Sequence, residues 1–166
     1  MIYAEARQQI VSGNVLAWTH RGWRSWYDFK IQLVRMFTRS EYAHVALAWE
    51  CGGRLFVIEA VSSGVRIFPL SRLLPFYWIP IKLDWTTAVE EFALSKVGEP
   101  YSQLDALAAA LGLLKIGAGK YWECAEYVMT VLKHAGKDYT GRYLATPTAV
   151  VTALQSDGIP TYLIDD

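Results

Sequence analysis

Hydrophobic and polar positions alternate with a period of two along the first half of the chain and shift toward a period near 3.6 after Asp84. The alternating segments predict strands over residues 13–19, 43–50, 54–61, 65–69 and 78–83. Helical spacing follows over 86–97, 103–114, 122–135 and 147–155, with a last short strand over 161–164. An aromatic-rich stretch over 23–37 is predicted to be helical as well. Strands grouped first and helices grouped after argue for an α+β fold, an antiparallel sheet with helices packed on it; a parallel Rossmann-like sheet would need the two to alternate. No linker-like stretch, repeat or low-complexity segment breaks the pattern, so one domain over residues 1–166 is the expected organisation.

Two of the strands are joined by Glu50-Cys51-Gly52-Gly53-Arg54, whose glycines suit a two-residue turn with positive φ at both central positions. That turn pairs Cys51 with Arg54, Ala48 with Val57, Ala46 with Glu59 and His44 with Val61. His44 and Glu59 then become diagonal neighbours on one face, roughly 7 Å apart at the backbone. A loop one residue longer or shorter would put them on opposite faces. On its own strand His44 is accompanied by Ala46 and Ala48, small residues that leave room for a helix, whereas Val45, Leu47 and Trp49 occupy the other side. The helix is therefore expected to dock on the alanine face.

The segment from Trp122 is the candidate for that helix. Cys124, Val128, Val131, Leu132 and Ala135 fall on one stripe, with Cys124 at its start. A thiol there is close to first-turn N–H groups, whose partial positive charge favours thiolate. The chemistry expected of the three residues is acyl transfer: Cys124 attacks a carbonyl, His44 moves the proton to the leaving group, and Glu59 fixes the imidazole tautomer. The Cys124 backbone N–H would donate to the oxyanion. Glu123 and Glu126 oppose thiolate formation, so His44 must supply the favourable charge.

Composition narrows the alternatives. A chain 53% hydrophobic with seven Trp is expected to be globular, and sixteen basic against sixteen acidic residues leave no electrostatic footprint for nucleic acid. The apolar run 106–116 is interrupted by Lys115 and is far shorter than the ~20 residues of a membrane span. Glu5 and Arg7 stand where a secretory signal needs an apolar core, which points to a cytoplasmic or virion-associated location. Two cysteines, Cys51 and Cys124, exclude a disulfide framework, and neither Cys-x-x-Cys nor His-Glu-x-x-His zinc signatures occur. A Cys-His-Glu zinc site is a further alternative, and no cofactor is expected.

The motifs taken in order resemble a family: Tyr42-Ala43-His44-Val45, Val57-Ile58-Glu59-Ala60, Gly64-Val65 with Pro69-Leu70-Ser71, Gly98-Glu99-Pro100-Tyr101, and Glu123-Cys124-Ala125-Glu126-Tyr127. This arrangement is similar to the circularly permuted NlpC-type papain-like cysteine hydrolases of the YiiX/YaeF-like branch. The resemblance implies a papain-like antiparallel sheet or half-barrel packed against helices, and a Cys124-His44-Glu59 triad in permuted order. It implies amide cleavage in peptides, peptidoglycan peptides or acylated small substrates, with Tyr101 lining the cleft and Tyr42 beside it. The chain departs from the pattern at Gly13-Asn14, where the family has Gly-Asp, and at Ala125, where Ser is common.

Other residues have plainer accounts. Cys51 falls in the hairpin turn and is expected to be exposed and without function, His20 reads as a solvated loop residue, and His134 suits a helix C-terminus. Gly117-Ala118-Gly119-Lys120 lacks the first Gly and the Ser/Thr of a phosphate loop. The Trp residues belong to core or cleft wall, with 23–27 as a possible lid over an apolar or sugar-bearing substrate. Three functions compete: a cysteine amidase or peptidase, a thiol acyltransferase or lipid hydrolase on the same triad, and a non-enzymatic phage-associated or binding protein that keeps the fold.

Overall fold

The computed structural model describes residues 1–19, 41–100, 123–139 and 145–166. In chain order these form a helical turn α1 (Tyr3–Ala6), β1 (Val15–Trp18), β2 (His44–Cys51), β3 (Arg54–Val61), β4 (Gly64–Pro69), a 3-10 turn (Leu70–Arg72), β5 (Phe76–Ile79), α2 (Thr87–Ser95), α3 (Cys124–His134), α4 (Pro147–Ser156) and β6 (Tyr162–Ile164). The six strands form one antiparallel sheet in the order β4-β3-β2-β1-β5-β6. This is the α+β arrangement that the grouping of strands and helices predicts. The helices predicted over 23–37 and 103–114, together with Tyr101, His20 and the 117–120 string, lie outside the described residues.

The β2–β3 hairpin follows the expected register, with Cys51 opposite Arg54 and Ala48 opposite Val57. Gly52 and Gly53 adopt φ of 59° and 74°, a pair of values that side chains with a Cβ adopt only under strain. One strand is displaced from expectation: β5 occupies Phe76–Ile79 rather than 78–83, because Pro80 has no N–H to continue the ladder. Thr86 and Thr146 cap α2 and α4 by accepting from Val89 N–H and Ala149 N–H.

Helix packing corrects the expectation about faces. Cys124, Val128, Val131 and Leu132 of α3 share a buried cluster with Val45, Leu47, Ile58 and Ala60, so α3 docks on the larger side chains. Ala46, Ala48 and Val57 line the other face, where they meet Leu16, Leu70, Phe76 and Trp78. Large apolar side chains remove more area from water per contact, so they take the helix, and alanines make room for the indole and phenyl rings opposite. Burial of α3 is also wider than one stripe, since Ala125, Tyr127 and Met129 are buried too. α3 is covered by the sheet on one side and by α2 and α4 on others, and Tyr127 Oη donates to the Ala93 carbonyl of α2 at 3.1 Å.

The departure at Asn14 has a structural account. Its Nδ2 donates to the Ile81 carbonyl at 3.0 Å while its Oδ1 accepts from Trp78 Nε1 at 2.8 Å, all of it buried. An amide can do both, whereas an ionised carboxylate has no proton to donate.

Gly64 opens β4 with φ of 112°, and a Cβ there would lie 2.6 Å from the Glu99 carbonyl oxygen. The close approach lets Val65 N–H bond that carbonyl at 2.9 Å and lets Gly98 N–H bond the Val65 carbonyl at 2.8 Å. Gly64→Ala is therefore expected to cost on the order of 1–3 kcal/mol of folding free energy from backbone strain alone. Urea unfolding of the variant checks this; an unchanged midpoint would show that the 98–100 segment is not held as described.

Candidate active site

Four side chains gather where β1 and β3 end and β2 and β4 begin. Trp18 is paired with His44 across β1 and β2, and Glu59 with Arg66 across β3 and β4. Direct cross-strand partners share a face, and the β2–β3 register adds His44 to the face of Glu59. The outcome is a contact: His44 Nε2 lies 2.7 Å from Glu59 Oε2. The other carboxylate oxygen, Oε1, accepts from Arg66 Nε at 2.9 Å and from Arg66 Nη2 at 2.7 Å.

Burial differs across this chain of charges. The Glu59 side chain is 4% exposed, His44 23% and Arg66 42%, so the carboxylate is the buried link. Burial by itself raises the Glu59 carboxyl, but the hydrogen bond and charge of His44, and then those of Arg66, outweigh it and hold it below the usual value. Trp18 stands beside the imidazole with ring centroids 5.5 Å apart, and its own Nε1 is fixed by the Leu73 carbonyl at 2.7 Å.

Cys124 completes the cluster from the helix side. It is the first residue of α3 and 8% exposed. It lies near enough to the His44 ring for the two groups to influence each other electrostatically. With Nε2 committed to Glu59, the nitrogen left for sulfur is Nδ1. Burial pulls the His44 pKa down, yet the hydrogen bonds to Cys124 and Glu59 and the charges on both push it up to about 10. Helix and histidine meet although α3 packs on the opposite face of β2, because each residue opens its element and the contact forms at the margin of the sheet. Glu123, just before the thiol, is buried and does not cap the helix.

The remaining expectations fall as follows. Tyr42 is 5% exposed, its ring edge-on to Tyr77 at 5.4 Å and its N–H bonded to Thr148 Oγ1, within the core that holds the start of β2. Tyr101 lies outside the described residues. Cys51 is exposed in the turn, and both cysteines are free. His134 ends α3 and stacks on Phe92 at 4.2 Å, in keeping with a structural role. Two neighbours of the cluster, Arg66 and Trp18, were not among the sequence candidates. Arg66 had a usable signal, since a two-residue turn at Ser62-Ser63 sets it directly opposite Glu59. For Trp18 no local spacing relates β1 to β2.

An antiparallel α+β fold with a thiol, an imidazole and a buried carboxylate at one end of its sheet is thus the class defined by the coordinates. No protein-family model matches the sequence, and no curated protein matches it either. A solved structure does: that of the metalloprotein YiiX, DUF1105, from Escherichia coli O157:H7, with a TM-score of 0.58 at 17% identity over 93% of this chain and 89% of that one. At that identity the likeness is one of fold.

That protein's description raises the question of a metal here. Among the described residues no group of three His, Cys, Asp or Glu side chains is placed to hold an ion. Both oxygens of Glu59 are already taken, one by His44 and one by the Arg66 cation, which would repel a metal at the same carboxylate. The residues at this site therefore do not fit a metal. Nor is any described helix long and apolar enough to cross a membrane.

Proposed function

We propose that the chain is a thiol hydrolase, a cysteine amidase or peptidase of the permuted NlpC-type papain-like kind, in a single domain over residues 1–166. The observation that carries this reading is the His44 imidazole fixed at 2.7 Å by the buried Glu59 carboxylate, with the Cys124 thiol at the start of α3 in electrostatic reach of the same ring. An acid–base group oriented on one nitrogen with a nucleophile beside it is the arrangement nucleophilic catalysis requires.

The steps follow from it. His44 takes the Cys124 proton, and the thiolate attacks the carbonyl carbon of an amide. The tetrahedral oxyanion forms at the start of α3, where the Cys124 N–H is available to donate. The His44 imidazolium gives its proton to the departing amine, leaving an acyl-Cys124 thioester. Water, deprotonated by His44, then attacks the thioester; the carboxylic acid leaves and the thiol is restored. Glu59 holds the imidazole in the productive tautomer throughout. The family resemblance assigns Tyr101 to the substrate border, whereas Tyr42 packs in the core behind the start of β2.

Trp18 and Phe68 flank His44 and Arg66 with aromatic surface, which favours a substrate bearing an apolar acyl group. With an alcohol or amine in place of water as acceptor, the same thioester makes the chain an acyltransferase; with an acyl lipid as substrate and water as acceptor, it makes a lipid hydrolase. Both outcomes are read in one experiment. Incubation with peptidoglycan stem peptides, N-acyl amino acids and acyl lipids, followed by mass spectrometry, is expected to show an acyl group on the Cys124 peptide and none on Cys51. Absence of any adduct, together with iodoacetamide labelling of Cys124 no faster than Cys51, would leave the non-enzymatic binding reading in its place.

A further inference from the structure

A carboxylate that orients a histidine must stay ionised and must offer the same oxygen each time. Burial works against the first, because a carboxyl group 4% exposed is more easily kept neutral than charged. Side-chain freedom works against the second, since the last torsion of a glutamate is broad and its two oxygens exchange readily. Something besides His44 has to solve both problems at Glu59.

We propose that Arg66 is a positioning residue of the Cys124-His44-Glu59 site: its two N–H donors capture Oε1, keep Glu59 anionic in one rotamer, and leave Oε2 as the sole acceptor for His44. The geometry is specific, with Nε at 2.9 Å and Nη2 at 2.7 Å on one oxygen and His44 Nε2 at 2.7 Å on the other. Arg66 is itself held. Its guanidinium carbon lies 4.7 Å from the Phe68 ring centroid, and the strand beneath it is anchored by the Val65–Glu99 backbone bond. A rigid planar fork can place two donors on one oxygen in a way an ammonium on a flexible stem cannot. Among the described residues, the charged groups facing Glu59 are His44 from β2 and Arg66 from β4, and those facing His44 are Glu59 from β3 and Cys124 from α3. The consequence for turnover rests on the hydrolase reading; the consequence for Glu59 does not.

The test reads both separately, in a Cys51→Ser background. The Glu59 carboxyl carbon is titrated by NMR, and Cys124 alkylation by iodoacetamide is followed across pH, in the parent, Arg66→Gln and Arg66→Lys. Arg66 is 42% exposed on an edge strand, so both variants are expected to fold, which near-ultraviolet circular dichroism checks. In Arg66→Gln the Glu59 midpoint is expected to rise by about one unit or more, since loss of an adjacent opposite charge shifts carboxyls by that order. The acid limb of alkylation should move the same way, and Arg66→Lys should recover part of both. A Glu59 titration that superimposes on the parent's in Arg66→Gln overturns the proposal. Should Glu59 shift while Cys124 alkylates no faster than an ordinary thiol, Arg66 keeps its role and the hydrolase reading falls.

Discussion

Cys124→Ala is expected to reduce kcat/KM for the amide identified by adduct formation by at least ~10^4-fold while leaving the fold in place. The loss is large because sulfur is the only protein atom in the proposed sequence that forms a bond to substrate; without it, the helix start and His44 can bind and polarise but cannot make the thioester. Stability should change by no more than about 1 kcal/mol, since the substitution removes one atom from a position 8% exposed and keeps the helix-favouring backbone. Cys51→Ala, in the exposed turn, should leave turnover as it was. Steady-state kinetics and urea unfolding of both variants decide the matter: more than a tenth of parental activity in Cys124→Ala would remove the nucleophile from the account.

The second large effect is expected at Glu59→Gln. The amide keeps the size of the side chain but loses the charge that His44 and Arg66 share, and it can present the wrong group to Nε2. Turnover should fall on the order of 10^3–10^4-fold, the scale seen when a carboxylate orienting a catalytic histidine becomes an amide. Stability should change in a pH-dependent way. His44, raised from 6.5 to about 10, contributes stability that is full below pH 6.5 and is lost as pH rises through about 10. Glu59, held below its usual 4.5, contributes stability that is full above pH 4.5 and is lost as pH falls through its lowered folded value. The parent should therefore be most stable between pH 4.5 and 6.5 as far as this pair is concerned. Glu59→Gln should flatten both flanks, with the alkaline limb of Cys124 alkylation moving down as the imidazolium loses its partner. Denaturation curves collected from pH 3 to 10 test the sign; parallel curves for parent and variant would show that the His44–Glu59 contact is not an ionic one.

The likeness of fold to YiiX, at 17% identity, bears on how the candidate site is weighed. Similar backbones host unrelated chemistries, so any turnover depends on the atoms around His44 rather than on the shared fold. That structure is described as a metalloprotein; among the described residues here no three potential ligands are grouped to hold an ion, and Arg66 already occupies Oε1 of Glu59.

Local rules carried the sequence a long way. A Gly52-Gly53 turn has one favoured register, and period two then forces His44 and Glu59 onto a common face; both consequences lie within eighteen residues and need no knowledge of the rest. The Cys124 stripe was legible for the same reason, since helical spacing is set by neighbours in the chain. What α3 packs against was not legible. Choosing between the alanine face and the valine-leucine face of β2 is a competition among every apolar surface in the molecule, settled by total area buried, and the rings of Phe76 and Trp78 that fill the alanine side come from a strand far along the chain. The meeting of Cys124 with His44, eighty residues apart, belongs to the same category, as does Trp18 beside the imidazole. Hydrogen-bond patterns and periodicities are short-range and therefore written locally; packing is a property of the whole, and only the tertiary structure decided it.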